Sequence, residues 1–406
     1  MKKIFDTVVI GGGASGLMCA LRLAERGVRD VLLLERNDRV GRKLSVTGNG
    51  QGNVTNTDMS AQHYFGSGRE TVAAVLKQYD EKWLVGELTS LGGLFAADGT
   101  GRVYPASRQA SAVTDLFRFA LEERGVAVRT GERVVRARRV DSGFAVQTAS
   151  AEYRARALVL ACGGKAASYL GTEGDGYAFA ESFGHTVTPL RPSLVQLKTD
   201  KNLIKGLKGL RCECAAALLR GGKEIARTRG DVLFGDGTLS GDAVFRLSAF
   251  CAEGDLIRLD FLPDHSQDML ARLLSEKAAR MPALPCGELL RCIVSGALAR
   301  CLLQACSILL QMPAGQAQKK LAELAGAVKG YALPVLGTLG FEKAQVTKGG
   351  VRMEELTARL ESKKAAGLYI VGELCDVDGE CGGYNLQWAF SSGACAADAI
   401  AEKICG

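Results

Sequence analysis

The sequence lacks any uncharged apolar run of the roughly 20 residues that a helix needs to cross a bilayer. The longest candidate, Leu289 to Leu310, is interrupted by Arg291 and Arg300 and reads as an amphipathic core helix. No secretory leader is visible, because Met1-Lys2-Lys3 runs straight into a strand without a small-residue cleavage site. The expectation is a cytoplasmic protein without membrane contact. Histidine is scarce, at three, so acid–base chemistry is not expected to rest on it. The 13 cysteines are scattered without paired spacing, which argues against a disulfide framework and fits reduced thiols. Cys212 and Cys214 form a C-x-C, but no second pair or nearby histidine completes a metal site, and no metal is expected. A net charge of +7 is mild for 406 residues, and no Lys/Arg block is interleaved with aromatics, so nucleic acid is not expected as a partner. A basic pocket for a carboxylate or phosphate stays open. Hydrophobic residues at 47% with 23% charged exclude extended disorder, and the length implies two or three domains.

What is present starts at the N-terminus. An apolar run, Ile4 to Ile10, leads into Gly11-Gly12-Gly13-Ala14-Ser15-Gly16-Leu17, a helical stretch, and a second apolar run, Val31-Leu32-Leu33-Leu34, closed by Glu35. This is the pattern of a dinucleotide-binding βαβ unit. Gly11 permits the tight turn, Gly13 lets backbone approach a pyrophosphate, and Gly16 lets helix pack on sheet. The phosphates then lie at the helix N-terminus. Glu35 stands where a carboxylate accepts from ribose hydroxyls and repels a 2′-phosphate, which indicates FAD or NAD and not NADP.

A polar, glycine-rich loop follows from Arg42 to Asn56, then helical patterns at Glu70 to Tyr79 and at Ser111 to Arg124, with Ser111 as the expected cap. Val126 to Thr130, Glu132 to Arg139 and Phe144 to Thr148 read as three strands of a β-meander, and Ala157 to Ala161 as a buried strand ending in Cys162-Gly163-Gly164. Beyond Pro192 the texture changes. Alternating segments such as Cys214 to Leu219 and Leu256 to Phe261 precede a stretch from 268 to 327 with helical periodicity. Nucleotide-domain texture returns at Gly367 to Glu373, followed by a Gly-Gly loop and a helix from about Leu386. The expected organisation is a dinucleotide domain over 1–190 and 331–406, interrupted by a β part, 191–265, and a helical part, 266–330. No second G-x-G-x-x-G occurs, so a separate nicotinamide domain is not expected.

The C-terminal segment carries a resemblance. Ala344-Gln345-Val346-Thr347-Lys348-Gly349-Gly350-Val351, Gly372-Glu373, Asp376-Val377-Asp378-Gly379 and Gly382-Gly383-Tyr384-Asn385-Leu386-Gln387-Trp388-Ala389-Phe390-Ser391-Ser392-Gly393 resemble the BaiN/YhiN-like FAD-dependent oxidoreductases. Tyr104-Pro105-Ala106-Ser107, Gly171 to Tyr177 and Leu239-Ser240-Gly241 extend the likeness over nearly the whole chain. The resemblance implies an α/β fold: a glutathione-reductase-like FAD-binding Rossmann domain with inserted β-barrel and helical domains, and one FAD per chain. It implies that Gly11, Gly13, Ala14, Ser15 and Gly16 hold the pyrophosphate and Glu35 the adenosine ribose, with Arg36, Arg42, Lys43 and Asn53 also in the cofactor-binding set. Val134 or Val135 would line the adenine, Gly163 and Gly164 would approach from the adjacent strand, and Asp376 would bind the flavin ribityl chain, with Gly372 and Glu373 also in the cofactor-binding set. Gly383, Asn385, Leu386 and Gln387 would present the helix N-terminus to the flavin N1/O2 edge, where positive potential favours the anionic reduced form. Tyr384, Tyr104 and Asn385 are the catalytic candidates.

Two departures bear on the substrate. Gly50-Gln51-Gly52-Asn53 stands where the family commonly has Gly-Arg-Cys-Asn, so a charge beside the flavin is missing. Gly235-Asp236-Gly237-Thr238 and Ser240-Gly241-Asp242 also depart from the family pattern in the insert. Cys162, Cys375 and Cys381 fall near the expected flavin without C-x-x-C spacing and read as buried apolar residues. His185 reads as a structural hydrogen-bonding residue, and Lys348 and Arg352 as exposed charge open to an anionic tail. The resemblance implies reduction of a conjugated enone in a steroid or bile-acid-like molecule, with NADH or NADPH visiting the substrate face by turns and a small molecule as the only partner. Oxidation of a small amine such as aminoacetone, and a non-catalytic flavoprotein that senses or binds, stand as alternatives. The oligomeric state is open.

Overall fold

In the computed structural model, which describes residues 3–141 and 143–406, the chain leaves a first unit at Pro192 and returns to it at Gln345, with Ser193–Ala344 forming a second unit. Strand β1 (Ile4–Ile10), helix α1 (Ala14–Glu25) and strand β2 (Val31–Leu34) open the first unit. β1 pairs in parallel with β2 on one side and with Glu152–Leu160 on the other. All four β2 residues are buried, as a strand covered on both faces requires, and that is why the run is apolar without alternation. Ala127–Arg129 extends the parallel sheet beside β2, and Leu368–Ile370 pairs in parallel with the end of Glu152–Leu160.

The expected three-stranded meander is corrected here. Ala127–Arg129 joins β2 at the sheet edge, while Val134–Val140 and Gly143–Thr148 form an antiparallel hairpin on Glu152–Leu160. Other boundaries also move. The helices form at Arg69–Leu76 and Ala110–Glu123, and Gln109 occupies the cap position expected of Ser111. The C-terminal helix, Tyr384–Cys405, starts at Tyr384. It packs against α1, and Asp398 on it, 3% exposed, accepts from Arg22, Arg26 and the Tyr79 hydroxyl.

The second unit is a six-stranded antiparallel sheet in the order Leu197–Lys198, Thr238–Ser240, Lys223–Phe234, Arg211–Arg220, Leu256–Asp260, Tyr331–Pro334. Beyond Pro334 the chain continues to Leu336 and Leu339, whose amides donate to Lys198 and Gln196 carbonyl oxygens at 2.9 and 3.1 Å, so the two edges of the sheet are joined. Helices Gln267–Arg280, Gly296–Ala305 and Leu321–Lys329 share one core with these strands. The parts expected as 191–265 and 266–330 are therefore one unit, and the chain re-enters the first unit at 345 because Tyr331–Pro334 pairs with Leu256–Asp260. The Leu289 to Leu310 stretch is not one helix. A new helix starts after Ser295, whose Oγ accepts from the Leu298 amide.

Candidate active site

The turn from β1 into α1 has two kinds of glycine. A Cβ on Gly16 would lie 1.9 Å from the Gly11 carbonyl oxygen, so that position admits no side chain. A Cβ on Gly13, the residue preceding α1, would meet nothing within 4 Å, which leaves open space at the helix N-terminus for an anionic group. At the end of β2 the Glu35 carboxylate, 7% exposed, accepts from the Gly12 amide at 2.8 Å and from the Asn37 amide and Nδ2 at 2.8 and 2.7 Å. Three donors fix it beside the glycine turn, with further lone pairs for ribose hydroxyls. These residues suit a dinucleotide.

The remaining expected cofactor residues fall in several settings. Arg36 donates to Glu173 and Asp175 at 2.8 and 3.1 Å, so its charge is balanced within the protein. Arg42 donates to Asn37 Oδ1 at 2.9 Å and so belongs to the Glu35 cluster. Lys43 pairs with Glu373 at 2.7 Å, and the other oxygen of Glu373 accepts from the Thr347 amide at 2.8 Å. Gly164 packs against Thr347 and Glu373, and Gly163 precedes it at φ 72°. Ser15 lies against Gly372, whose amide donates to Ser392 Oγ at 2.9 Å. Ala14 opens α1. Val134 is buried, whereas Val135, at a bulge in the same strand, is 55% exposed, so the two do not share a setting. Asp376, 7% exposed, accepts from the Ser67 amide at 3.2 Å.

The N-terminus of the C-terminal helix is tied to the glycine-rich loop. Gly383 caps it at φ 105°, a left-handed conformation that favours glycine, and a Cβ there would strike the Thr55 carbonyl oxygen at 2.4 Å. With the nitrogen of its side-chain amide turned towards the two carbonyls beside it, Asn53 donates to Thr55 and Val103 carbonyl oxygens at 2.9 and 3.2 Å and its Oδ1 accepts from the Gly383 amide at 3.1 Å. Gln387, fully buried, accepts from Thr55 Oγ1 at 2.5 Å and donates to the Tyr79 carbonyl at 2.9 Å. Asn385 exchanges two 2.8 Å bonds with the backbone of Gly379, so its side chain holds that loop, which is a positioning task. Leu386 packs at the edge of the core. The first amides of a helix have no intrahelical acceptor and carry positive potential, so this end accepts developing negative charge.

Tyr384 stands at this helix start, buried between two rings. His63 stacks on it at 4.4 Å and 23°, and Tyr64 meets it edge-on at 6.1 Å while donating its hydroxyl to the Tyr384 carbonyl at 2.9 Å. His63 lies 3.3 Å from Asp58 and 3.7 Å from Glu380. His63 carries no sequence signal of this role, because it lies in a 3₁₀ turn, Ala61–His63, with no motif around it. Tyr104, also buried, carries the Arg108 guanidinium over its ring at 4.0 Å.

Of the thiols expected near this site, Cys375 is buried, and Cys162 and Cys381 are half-buried. Burial pushes Cys162 up to about 12 and Cys375 well above the ordinary thiol range, and both donate to backbone carbonyls. His185 lies between Glu355 and Ser362 at 3.1 and 2.7 Å, and burial lowers its pKa. Lys348 sits over the Phe65 ring at 5.6 Å. Among the described residues no group of His, Cys, Asp and Glu is arranged to hold a metal, and no helix is long and apolar enough to cross a membrane.

Comparison with known proteins adds to this geometry. The model of the HI0933-like protein Rossmann domain matches residues 5–399. The chain is 37% identical over 404 residues, 97% of its length and 98% of the relative's, to the 3-dehydro-bile acid delta(4,6)-reductase of Clostridium scindens. It is 30% identical over 407 residues, 98% of its length and 99% of the relative's, to the ribosomal RNA dihydrouridine synthase of Escherichia coli K12. Among solved structures, the 3-ketosteroid-delta4-(5alpha)-dehydrogenase of Rhodococcus jostii RHA1 aligns with a TM-score of 0.53 at 18% identity, covering 99% of this chain and 98% of that one. That likeness concerns the fold.

Proposed function

This chain belongs to the HI0933-like Rossmann family, and from that premise we propose that it is an FAD-dependent reductase of a carbon–carbon double bond conjugated to a carbonyl, with a steroid or bile-acid-like enone as substrate. The observation that carries the reading is the 37% identity to the bile-acid reductase over nearly the full length of both chains. The open glycine turn and the triply held Glu35 suit the adenosine half of FAD, and the Gly383-capped helix start suits its flavin half. When bound, FAD supplies two-electron chemistry, with NADH or NADPH as the proposed donor. The protein's own task is the proton and the charge. Reducing an enone puts a proton on the α-carbon, and Tyr384 is the proposed donor, fixed by its stack on His63 and by Tyr64. Amides at the helix start polarise the carbonyl as charge builds on its oxygen. Asn385 keeps the 379–380 loop closed against the helix start.

The test follows the flavin spectrum of purified protein without oxygen. NADH or NADPH is added, then 3-oxo-4-ene steroids and, separately, air. Reoxidation by an enone faster than by oxygen supports the reading. Reoxidation by oxygen alone, after reduction by a primary amine, replaces it with an oxidase.

A second reading, uracil reduction in RNA, is favoured by the dihydrouridine synthase relative and by one feature of charge. Residues 193–344 hold 20 Lys and Arg against 15 Asp and Glu, so this unit carries most of the chain's net +7. Exposed Lys198, Lys205 and Lys208 line one stretch of it, beside Lys201 and Arg211, which pair with Asp236 and Asp231. The chemistry is the same, because the uracil double bond is also conjugated to a carbonyl. Dihydrouridine formed in ribosomal RNA in place of any steroid product supports this reading over the first.

A further inference from the structure

We propose that Arg108 selects substrates with an anionic tail, its guanidinium receiving a carboxylate at the rim of the site formed by Tyr104, Gln51 and the Gly383 helix start. The inference rests on the proposed reading only for where the substrate lies. Arg108 adopts φ 52°, a left-handed backbone that glycine or asparagine takes more cheaply, so this position holds an arginine at a cost to the fold. The side chain is nevertheless ordered by two contacts. It lies flat over Tyr104 at 4.0 Å and donates to Gln51 Oε1 at 3.3 Å. The positive charge that Gln51 itself lacks is thereby supplied beside it.

The charge is also unspent. Arg36 and Lys43 in the same unit are both paired with carboxylates, whereas no ion pair among the described residues engages Arg108. A guanidinium has five donors in a fixed fork, and the single bond to Gln51 leaves a face free for bidentate contact with a carboxylate. The place is relevant to chemistry. Gln51 is two residues from Asn53, which is bonded to the Gly383 amide, and the Ala110 amide fastens the Arg108 segment to the Gly50 carbonyl at 2.8 Å. One unpaired guanidinium matches one negative charge, so the ligand class is a small molecule with a terminal carboxylate.

The test titrates FAD-loaded protein with a saturated 3-oxo bile acid and with its primary amide, reading binding from the flavin absorbance, so that no turnover is needed. The wild type is expected to bind the acid at least about tenfold more tightly than the amide, and Arg108→Gln to lose that preference with amide affinity unchanged. Arg108→Gly, which relieves the backbone, is expected to keep the FAD content, hold or raise the thermal midpoint, and lose the preference too. Equal wild-type affinity for acid and amide, or equal weakening of both by Arg108→Gln, overturns the proposal. If the preference is found and lost as expected while no enone is reduced, the anion site stands and the reductase reading falls. Enone turnover without the preference does the reverse.

Discussion

Asp378 offers the sharpest test of the electrostatics buried in this fold. Its carboxyl is 1% exposed, neither oxygen has a hydrogen-bond partner, and burial raises its pKa to about 6 against an ordinary 3.8, with Asp376 adding to the rise and Lys348 opposing it. A carboxylic acid that is harder to ionise in the folded state holds its proton more tightly there than in the unfolded chain. Stability therefore falls as pH rises from about 4 to about 6, and the full cost is present above that window. A shift of about two units corresponds to about 3 kcal/mol at 1.36 kcal/mol per unit. Asp378→Asn removes the ionisation and keeps the shape. At pH 7.5 the variant should be more stable by roughly 2–3 kcal/mol, a thermal midpoint higher by about 5–10 °C for a unit of this size. At pH 4 the gap should close to whatever the amide itself costs. Thermal unfolding of both proteins, followed by far-ultraviolet circular dichroism at half-unit pH steps from 4 to 8, reads the difference. Midpoint curves that run parallel across that range would refute the reasoning, because they would mean that Asp378 does not titrate between its unfolded value and pH 6.

Asp398→Asn should behave in the opposite sense. Its carboxylate is held down to about 2 by Arg22, Arg26 and Tyr79, so its stabilisation is present above about pH 4 and lost as pH falls towards 2; breaking it at pH 7 should cost about 3–5 kcal/mol, checked by the thermal midpoint. Gly13→Ala should fold with an unchanged midpoint but retain less FAD through gel filtration, whereas Gly16→Ala, with its Cβ 1.9 Å from the Gly11 oxygen, should fail to give folded protein. His63→Phe keeps a stacked ring on Tyr384 and should hold enone turnover within about threefold, whereas His63→Ala removes the ring and should lower turnover about tenfold or more at unchanged FAD content, while KM changes little.

The elements that the sequence discloses are those whose residues answer to a local rule. β1, α1 and β2 are legible because parallel strands covered on both faces must be apolar throughout and because glycine spacing answers to backbone contact, as Gly16 against Gly11 shows. What stayed hidden depends on partners far along the chain. His63 and Tyr384 stack although more than 300 residues separate them, and nothing near either announces the other. Arg108 looks like ordinary surface charge until its left-handed backbone and the Tyr104 ring are seen together. The Leu289 to Leu310 stretch misleads because apolar periodicity cannot register Cys292 at φ 66° or a helix cap at Ser295. Val126 to Thr130 misleads because an edge strand of a parallel sheet and a strand of a meander have the same local pattern.

Two of the relatives, by their names, act on very different molecules, a bile acid and ribosomal RNA, that share one piece of chemistry. A steroid 4-ene-3-one and a uracil ring present the same electronic problem, a double bond polarised by a carbonyl, which asks for a proton donor and for amides to take up charge on oxygen. The first unit contains candidates for both, in Tyr384 and in the helix start capped by Gly383, and neither depends on what lies beyond the reacting atoms. Discrimination must then come from groups that contact the rest of the substrate. Arg108 favours a single carboxylate and gains little from a polymer, whereas the exposed cations from Lys198 to Arg211 favour many phosphates and gain little from a steroid. Salt separates the two. Phosphate contacts release counterions, so RNA affinity should fall by orders of magnitude between 50 and 200 mM salt, while a single carboxylate on the exposed, ring-stacked Arg108 should weaken by only a few fold over the same range.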